Sequence, residues 1–364
     1  MNPDYIREYA LPWIAGNAIP AEGLTTRWQS PSNIALVKYW GKYGRQMPSN
    51  ASVSFTLSRS HTVTSFSIIP GKGELRFTFE GKEAPAFSQR MQQTLEGWTA
   101  CFSFLGSCDI TIESRNSFPH SAGIASSASA MSALALCLVD VEQRLGANQS
   151  KEAFLKKASY VSRLGSGSAC RSVYPLAAVW GEVEGVDGSG PDVAVGIHDI
   201  HPDFREMQDS ILIVDPGTKA VSSSAGHRLM ENHPFAAQRF AQADQHASEM
   251  VSALRTGDMA TFIRITEQEA LTLHGLMMSS NPGYLLIRPG TLDIIRNVRA
   301  FREQSGLPVC FTLDAGPNVH LLYPKTCAPQ IMEWIGRELL PYCHQGKVIH
   351  DEAGTGPFPL INTL

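Results

Sequence analysis

Apolar positions along this chain recur with the periods of both strands and helices. Residues 33–41 (NIALVKYWG) and 52–69 (SVSFTLSRSHTVTSFSII) are dense in β-branched and aromatic side chains and predict strands. Residues 74–81 (ELRFTFEG) and 109–115 (DITIESR) alternate apolar with polar and predict two more. Residues 87–105 carry helical spacing, and a Ser/Ala-rich run after Phe118 leads into a helix ending near Gly146. A further helix over 150–164 opens on Ser150 and stops before Gly165, both good cap residues. Strand character returns at 173–185 and 210–217, separated by a stretch rich in Gly, Pro and Asp at 185–203. Two or three helices are expected between Ala225 and Met278, and an amphipathic one over 291–306. Residues 308–324 read as two strands around a Gly-Pro-Asn turn.

Strands come in groups rather than alternating strictly with helices, which predicts an α+β fold in two lobes. The Gly/Pro/Asp-rich stretch places the boundary near 203/204, giving lobes 1–203 and 204–364. Residues 1–29 read as an N-terminal extension, partly loose. The length of 364 residues agrees with two domains, and 43% apolar residues suffice for ordinary cores.

Charge and cysteine content narrow the classes. A net charge of -4 argues against a nucleic-acid binder, while leaving room for a local basic cleft. The seven cysteines are odd in number and form no C-x-x-C pair, which fits a reducing compartment better than a disulfide framework or structural zinc. The first residues lack a basic start followed by a long apolar run, and no apolar run is long enough to span a membrane. The expected setting is cytoplasmic.

Four short stretches carry candidate chemistry. In PHSAGIASSASA, Gly123 permits close backbone approach, Ser126 and Ser127 supply hydroxyls, and the helix that follows offers unpaired N–H groups to a phosphate. A small-residue helix packed on a sheet explains the same letters equally well. VKYWGKYG sets Lys38 and Lys42 beside Tyr39 and Trp40, a set suited to an anionic ligand, although exposed lysines at a strand end are commoner. GSGSACRS joins Gly165 and Gly167 to Ser166, Ser168, Ser172 and Arg171, donors fit for a carboxylate or diphosphate, or a mobile turn. TLDAGPN puts Asp314 at a strand end, as a base or as a turn former. His120 and His227 read as structural or peripheral, and no H-E-x-x-H or G-x-S-x-G motif occurs.

Together these stretches resemble the diphosphomevalonate decarboxylases of the GHMP kinase superfamily. PHSAGIASSASA is similar to the superfamily's phosphate loop. NIALVKYWGK, MPSNASVSFTLS, GSGSACRS and LDAGPN are similar to decarboxylase signatures and fall in the family's order from Asn33 to Asn318. The resemblance implies a ribosomal-protein-domain-like N-terminal lobe that binds ATP and a ferredoxin-like C-terminal lobe that carries the catalytic aspartate. It implies that 5-diphosphomevalonate and ATP, with Mg²⁺, become isopentenyl diphosphate, ADP, phosphate and CO2.

By the same resemblance Asp314, Lys38 and Arg171 are catalytic. Tyr39, Trp40, Gly41, Lys42, Ser166, Gly167, Ser168, Ala169, Cys170, Arg171, Ser223 and Ser224 bind substrate. Pro119, Ser121, Ala122, Gly123, Ala125, Ser126 and Ser127 bind ATP, with Ser127 also on the metal. A homodimer is expected, with no nucleic-acid or membrane partner. KAVSSSAGH departs from the pattern: the family stretch usually ends in Gly-Met, and some members carry arginine where this chain has Ser224. A sibling activity on mevalonate or its 5-phosphate, and a silent nucleotide- or RNA-binding protein on the same fold, remain open at this stage.

Overall fold

The computed structural model describes residues 19–119, 124–217 and 221–360. It is a mixed α+β structure built on two principal sheets. The larger is eight-stranded, with β14 (Phe358–Pro359), β1 (Leu24–Val37), β4 (Ser52–Pro70), β7 (Cys108–Asn116), β5 (Leu75–Phe79) and β6 (Lys82–Glu83) in order and β8 (Ala177–Trp180) and β9 (Ala194–Ile197) joined to it through β4. Its central strands, β1 and β4, are long; both are buried over most of their length, and β4 is rich in Thr, Val and Ile. Their antiparallel register shifts between Pro31 and Asn33 and again between Ala35 and Val37. Such bulges bend a strand and re-aim its side chains. β4 then serves two partners in succession. Its first residues pair with β8 (Ala177–Trp180) and its later ones with β7 (Cys108–Asn116).

Three helices accompany this sheet in sequence, α1 (Pro85–Trp98), α2 (Ser126–Arg144) and α3 (Lys151–Gly165). As anticipated, Ser150 caps α3 by accepting from the Ala153 N–H at 3.2 Å. α2 is the Ser/Ala run, and its small side chains let it lie close on β1 and β4. Ser132 Oγ meets Ser30 Oγ at 2.6 Å, and Ser129 Oγ meets Thr62 Oγ1 at 2.6 Å.

The smaller sheet orders β11 (Cys310–Thr312), β12 (Val319–Pro324), β10 (Met207–Leu212) and β13 (Val348–Glu352). The β11–β12 pair turns through Asp314–Asn318, as the sequence predicts. Between β10 and β11 come α4 (Ser223–Arg228), α5 (Ala236–Thr256), α6 (Met259–Ser279) and α7 (Pro289–Ser305).

Two expectations need correction. Leu24–Gln29 is not extension: it pairs with Ile68–Val63 of β4, and the Trp28 indole donates to Asp140 at 2.9 Å. The Gly/Pro/Asp stretch hides a strand, β9 (Ala194–Ile197), paired residue for residue with β8. The segments on either side of 203/204 also pack together. One apolar cluster joins Ile34, Phe55 and Val179 to Met207, Ile211, Phe262 and Leu322. The C-terminal segment also returns to the large sheet. Asp351 accepts the N–H groups of Ser58, Arg59 and Ser60 at 2.7–2.9 Å, and Phe358–Pro359 (β14) pairs with Trp28 and Gln29.

Candidate active site

The bent end of β1, the α3 C-terminus with the tight turn after it, α4 and the β11–β12 turn line an open cleft. β1 delivers Lys38, only 2% exposed, whose ammonium donates to the Ala35 carbonyl at 2.6 Å and to Asp314 Oδ1 at 3.0 Å. Burial pushes the Lys38 ammonium below its ordinary value, with Asp314 and then Glu269 pulling it back. The Lys38 backbone is fixed in turn: its N–H donates to Glu269 at 2.8 Å and its carbonyl accepts from Asn50 at 2.9 Å and Arg239 at 3.2 Å. The Asp314 side chain is 24% exposed, so it touches both Lys38 and the cleft, and its carbonyl accepts from His274 Nε2 at 3.1 Å.

Arg171 lines the same cleft from a 3₁₀ turn, Gly167–Val173. Its guanidinium is 2% exposed and donates to Ser54 Oγ at 3.0 Å, to Asn33 Oδ1 at 3.3 Å and to Ser52 Oγ. These partners are neutral, and among the described residues no carboxylate pairs with it. Asp314 acts on it only through space, so its hydrogen-bonding fork is met by neutral oxygens alone, an arrangement suited to an anion. Ser52 and Ser54 share a face of β4, being two apart, and that spacing is the sequence signal for the support. Gly167 is required by space, because a Cβ there would lie 2.9 Å from both the Tyr39 hydroxyl and the Trp180 ring. The Tyr39 hydroxyl is itself buried without a hydrogen-bond partner among the described residues.

The cleft therefore gathers Lys38, Tyr39, Trp40, Lys42, Ser166, Gly167, Ser168, Arg171, Ser223, Ser224, Asp314, Ala125 and Ser127 from the sequence-predicted set. Gly41 stands behind it, in a left-handed conformation (φ 106°). Ala169 and Cys170 are fully buried in the core beneath the turn, where burial pushes the thiol up to about 12. Their side chains are walls of the support rather than of the cleft. Pro119 lies just before the loop. Ser121, Ala122, Gly123 and His120 fall outside the described residues.

Sequence reasoning missed His227 and Arg90, which both line the cleft. His227, read as peripheral, accepts the Gly41 N–H on Nδ1 at 3.0 Å and packs against Tyr39 and Trp40. Its neighbours in space come from the segment just after β1, 186 residues away along the chain at Gly41, so no local signal marks it.

A second, apolar hollow adjoins the first and is walled by Phe77, Phe79, Phe87, Met91, Ile112 and Leu134. Arg90 and Ser127 line both spaces and mark the seam. Ser126 faces the apolar side. Ser127 Oγ is 3.2 Å from Ser166 Oγ, and Ala125, at φ 40°, caps α2 in the left-handed region unusual for a residue with a Cβ. Polar and apolar chambers joined at a helix N-terminus suit a ligand with a flat apolar end and an anionic tail. Among the described residues no group of His, Cys, Asp or Glu could by itself hold a metal ion. A divalent ion here would be held by hydroxyls such as that of Ser127 and by the ligand's own oxygens.

Residues 30–189 match the diphosphomevalonate decarboxylase-like N-terminal domain, and residues 210–357 match the mevalonate 5-diphosphate decarboxylase C-terminal domain. The diphosphomevalonate decarboxylase of Eremothecium gossypii is 32% identical over 311 residues, 81% of this chain and 76% of that one. The chain belongs to the diphosphomevalonate decarboxylase family. The human diphosphomevalonate decarboxylase is 30% identical over 312 residues, 79% of this chain and 74% of its own. Among solved structures, the complex of MDDEF with MVAPP, AMPPCP and magnesium superposes with a TM-score of 0.80 at 28% identity, covering 93% of this chain and 99% of that one. The Staphylococcus aureus mevalonate diphosphate decarboxylase does so with 0.80 at 27%, covering 93% and 98%.

Proposed function

We propose that this chain catalyses the ATP-dependent decarboxylation of 5-diphosphomevalonate to isopentenyl diphosphate, releasing ADP, phosphate and CO2. The observation that carries the reading is the pairing, across one cleft, of a carboxylate held by a buried lysine with a buried arginine that has no carboxylate of its own. Relatives named for this activity, and a neighbour described with MVAPP, AMPPCP and magnesium, support it.

Arg171 takes the substrate carboxylate in its fork, with Ser166 and Ser168 alongside. Tyr39 and Lys42, with Ser223 and Ser224, take the diphosphate end. The apolar hollow takes the base of ATP and leads its phosphates past Arg90 and Ser127 to the cleft. Magnesium on the nucleotide neutralises phosphate charge when bound.

Asp314 orients the tertiary hydroxyl and accepts its proton as the oxygen attacks the γ-phosphate. Lys38 holds that carboxylate in place. Phosphorylation converts hydroxide, a poor leaving group, into phosphate, a good one. As the phosphate leaves, the electron pair of the bond to the carboxylate fills the developing vacancy on the tertiary carbon, forming the double bond and freeing CO2. No electron sink is needed. We read the two lobes as ribosomal-protein-domain-like and ferredoxin-like, the latter supported by the four-stranded sheet backed by helices. The proposal also carries a cytoplasmic homodimer, which sedimentation would test.

The deciding experiment supplies ATP, Mg²⁺ and each of mevalonate, its 5-phosphate and its 5-diphosphate, and follows ADP and CO2 together. Equal release of both from the diphosphate alone is expected. ADP without CO2, or CO2 from a less phosphorylated substrate, refutes it. Asp314→Asn should lower turnover about 10²–10⁴-fold, the usual worth of a positioned base, and retained activity refutes the role given to Asp314.

A further inference from the structure

His227 is a histidine held as a fixed donor. The Gly41 N–H donates to its Nδ1 at 3.0 Å. A neutral imidazole accepting on Nδ1 carries its proton on Nε2, at the other edge of the ring. The ring lies between Tyr39, 4.3 Å away by centroids, and Trp40, 4.7 Å away, so its plane is set by packing. It is 7% exposed and still lines the cleft, beside Lys42, Ser223 and Ser224.

The charged groups acting around it are cations. Lys42 from β2 (Lys42–Tyr43) acts on the imidazole, and Arg228, on the same helix as His227, and Arg90, from α1, act in turn on Lys42. The Lys42 ammonium is answered only by the Gln46 side chain, at 2.9 Å, and among the described residues neither Arg90 nor Lys42 has a carboxylate partner. Asp314 is the one carboxylate among the residues lining this cleft, and Lys38 holds it. Burial and then Lys42 keep the imidazole neutral, at about 3 against an ordinary 6.5. A neutral donor can therefore join the cations without adding to their mutual repulsion.

We propose that His227 is a specificity-determining residue of this cleft, whose Nε2–H donates to a terminal phosphate oxygen of the substrate. The proposal deepens the functional reading above and rests on its assignment of the Lys42 end to the diphosphate. It also answers the chain's departure at KAVSSSAGH. With a serine at 224, the donor set at this end is completed by an imidazole and by cations from β2 and α1.

Two substitutions separate the two edges of the ring. His227→Asn keeps an acceptor near Nδ1 for Gly41 and lacks the Nε2 donor. His227→Gln places an amide N–H near the Nε2 position. The Asn variant should raise KM for 5-diphosphomevalonate about tenfold or more, the worth of a hydrogen bond to a charged group, with kcat within about twofold of the parent. The Gln variant should recover most of that loss. The reverse order, Asn normal and Gln impaired, overturns the proposal and assigns His227 to holding Gly41. Equal behaviour of the two variants overturns it also.

A measurement on the unaltered protein does not depend on turnover or on a variant folding. In spectra of the ¹⁵N-histidine-labelled chain, His227 should be the Nε2–H tautomer, and its Nε2–H resonance should move downfield on adding inorganic pyrophosphate. An unmoved resonance overturns the proposal. If the unaltered chain releases no CO2 from the diphosphate while pyrophosphate still moves the resonance, the functional reading fails and the anion-donor role of His227 stands.

Discussion

Glu269 is buried completely, yet four donors converge on it. Arg239 reaches it with both terminal nitrogens at 2.6 and 2.5 Å, His246 Nδ1 at 2.7 Å and the Lys38 N–H at 2.8 Å. Burial alone would raise its carboxyl, but the hydrogen bonds from Arg239 and His246 outweigh it and hold the group at about 2, against an ordinary 4.5. That difference corresponds to about 3 kcal/mol of stability. A second route gives a similar figure. Glu269→Gln leaves Arg239, 3% exposed, with no charged partner, and orphaning a buried ion costs about 3–5 kcal/mol. The variant should therefore lose about 3–5 kcal/mol of the roughly 5–15 kcal/mol a folded domain commands. Urea unfolding at pH 7 reads this as a lower midpoint with unchanged slope. The pH dependence is a second check. A carboxyl whose folded value is depressed stabilises the fold fully above 4.5, and that contribution disappears as pH falls from 4.5 towards 2. The parent should lose stability in this window, and the variant should lose less. A destabilisation below about 1 kcal/mol, or an unchanged acid slope, would refute the reasoning, because neither the desolvated charge nor its donors would then matter as described. Turnover should fall with stability, since the same carboxylate fixes the backbone of Lys38.

Arg171→Lys keeps the charge but cannot reach Ser52, Ser54 and Asn33 in one plane. Steady-state kinetics should show KM for diphosphomevalonate raised about 10–100-fold, and an unchanged KM would remove the carboxylate clamp. Gly167→Ala brings a Cβ within 2.9 Å of the Tyr39 hydroxyl and the Trp180 ring. Thermal unfolding should show about 1–3 kcal/mol lost, and activity should fall more than stability explains, because Tyr39 lines the cleft. A fully active, equally stable variant would show that the turn has room the structure denies it.

The parts of the site that could be read in the sequence are those whose chemistry is local. Asp314 follows an apolar strand and precedes Gly-Pro, so its place at a strand end needs no knowledge of the partner. Gly165–Arg171 advertises a tight, donor-rich turn by composition alone. The Ser/Ala run was open to two readings, and both describe part of it. Its body, Ala128–Val141, is almost wholly buried, packed on β1 and β4 and against α3 and the turn after it, while Ala125 and Ser127 at its start line the cleft. Leu24–Gln29 and Ala194–Ile197 were missed for opposite reasons. The first carries few apolar residues because its pairing with β4 leaves most of its side chains only half-buried. The second is a short apolar run flanked by glycines and aspartates that look like linker.

What no local pattern could show is how the cleft is charged. Glu269, Arg239 and His246 lie on α5 and α6, more than 200 residues beyond the Lys38 they steady, and each reads in isolation as a helix-surface residue. The physical logic appears only in three dimensions. Two cations, Lys38 and Arg171, are buried at the cleft. One is given a carboxylate in Asp314, and the other is given only neutral oxygens. Burying a charge without a carboxylate hydrogen-bonded to it is costly, so if Arg171 serves what it meets, as proposed above, its charge contributes little to stability. Replacing Arg171 with an apolar residue of similar volume should therefore stabilise the fold or leave it unchanged while abolishing turnover. The same exchange at Arg239, whose charge Glu269 already answers, should destabilise it.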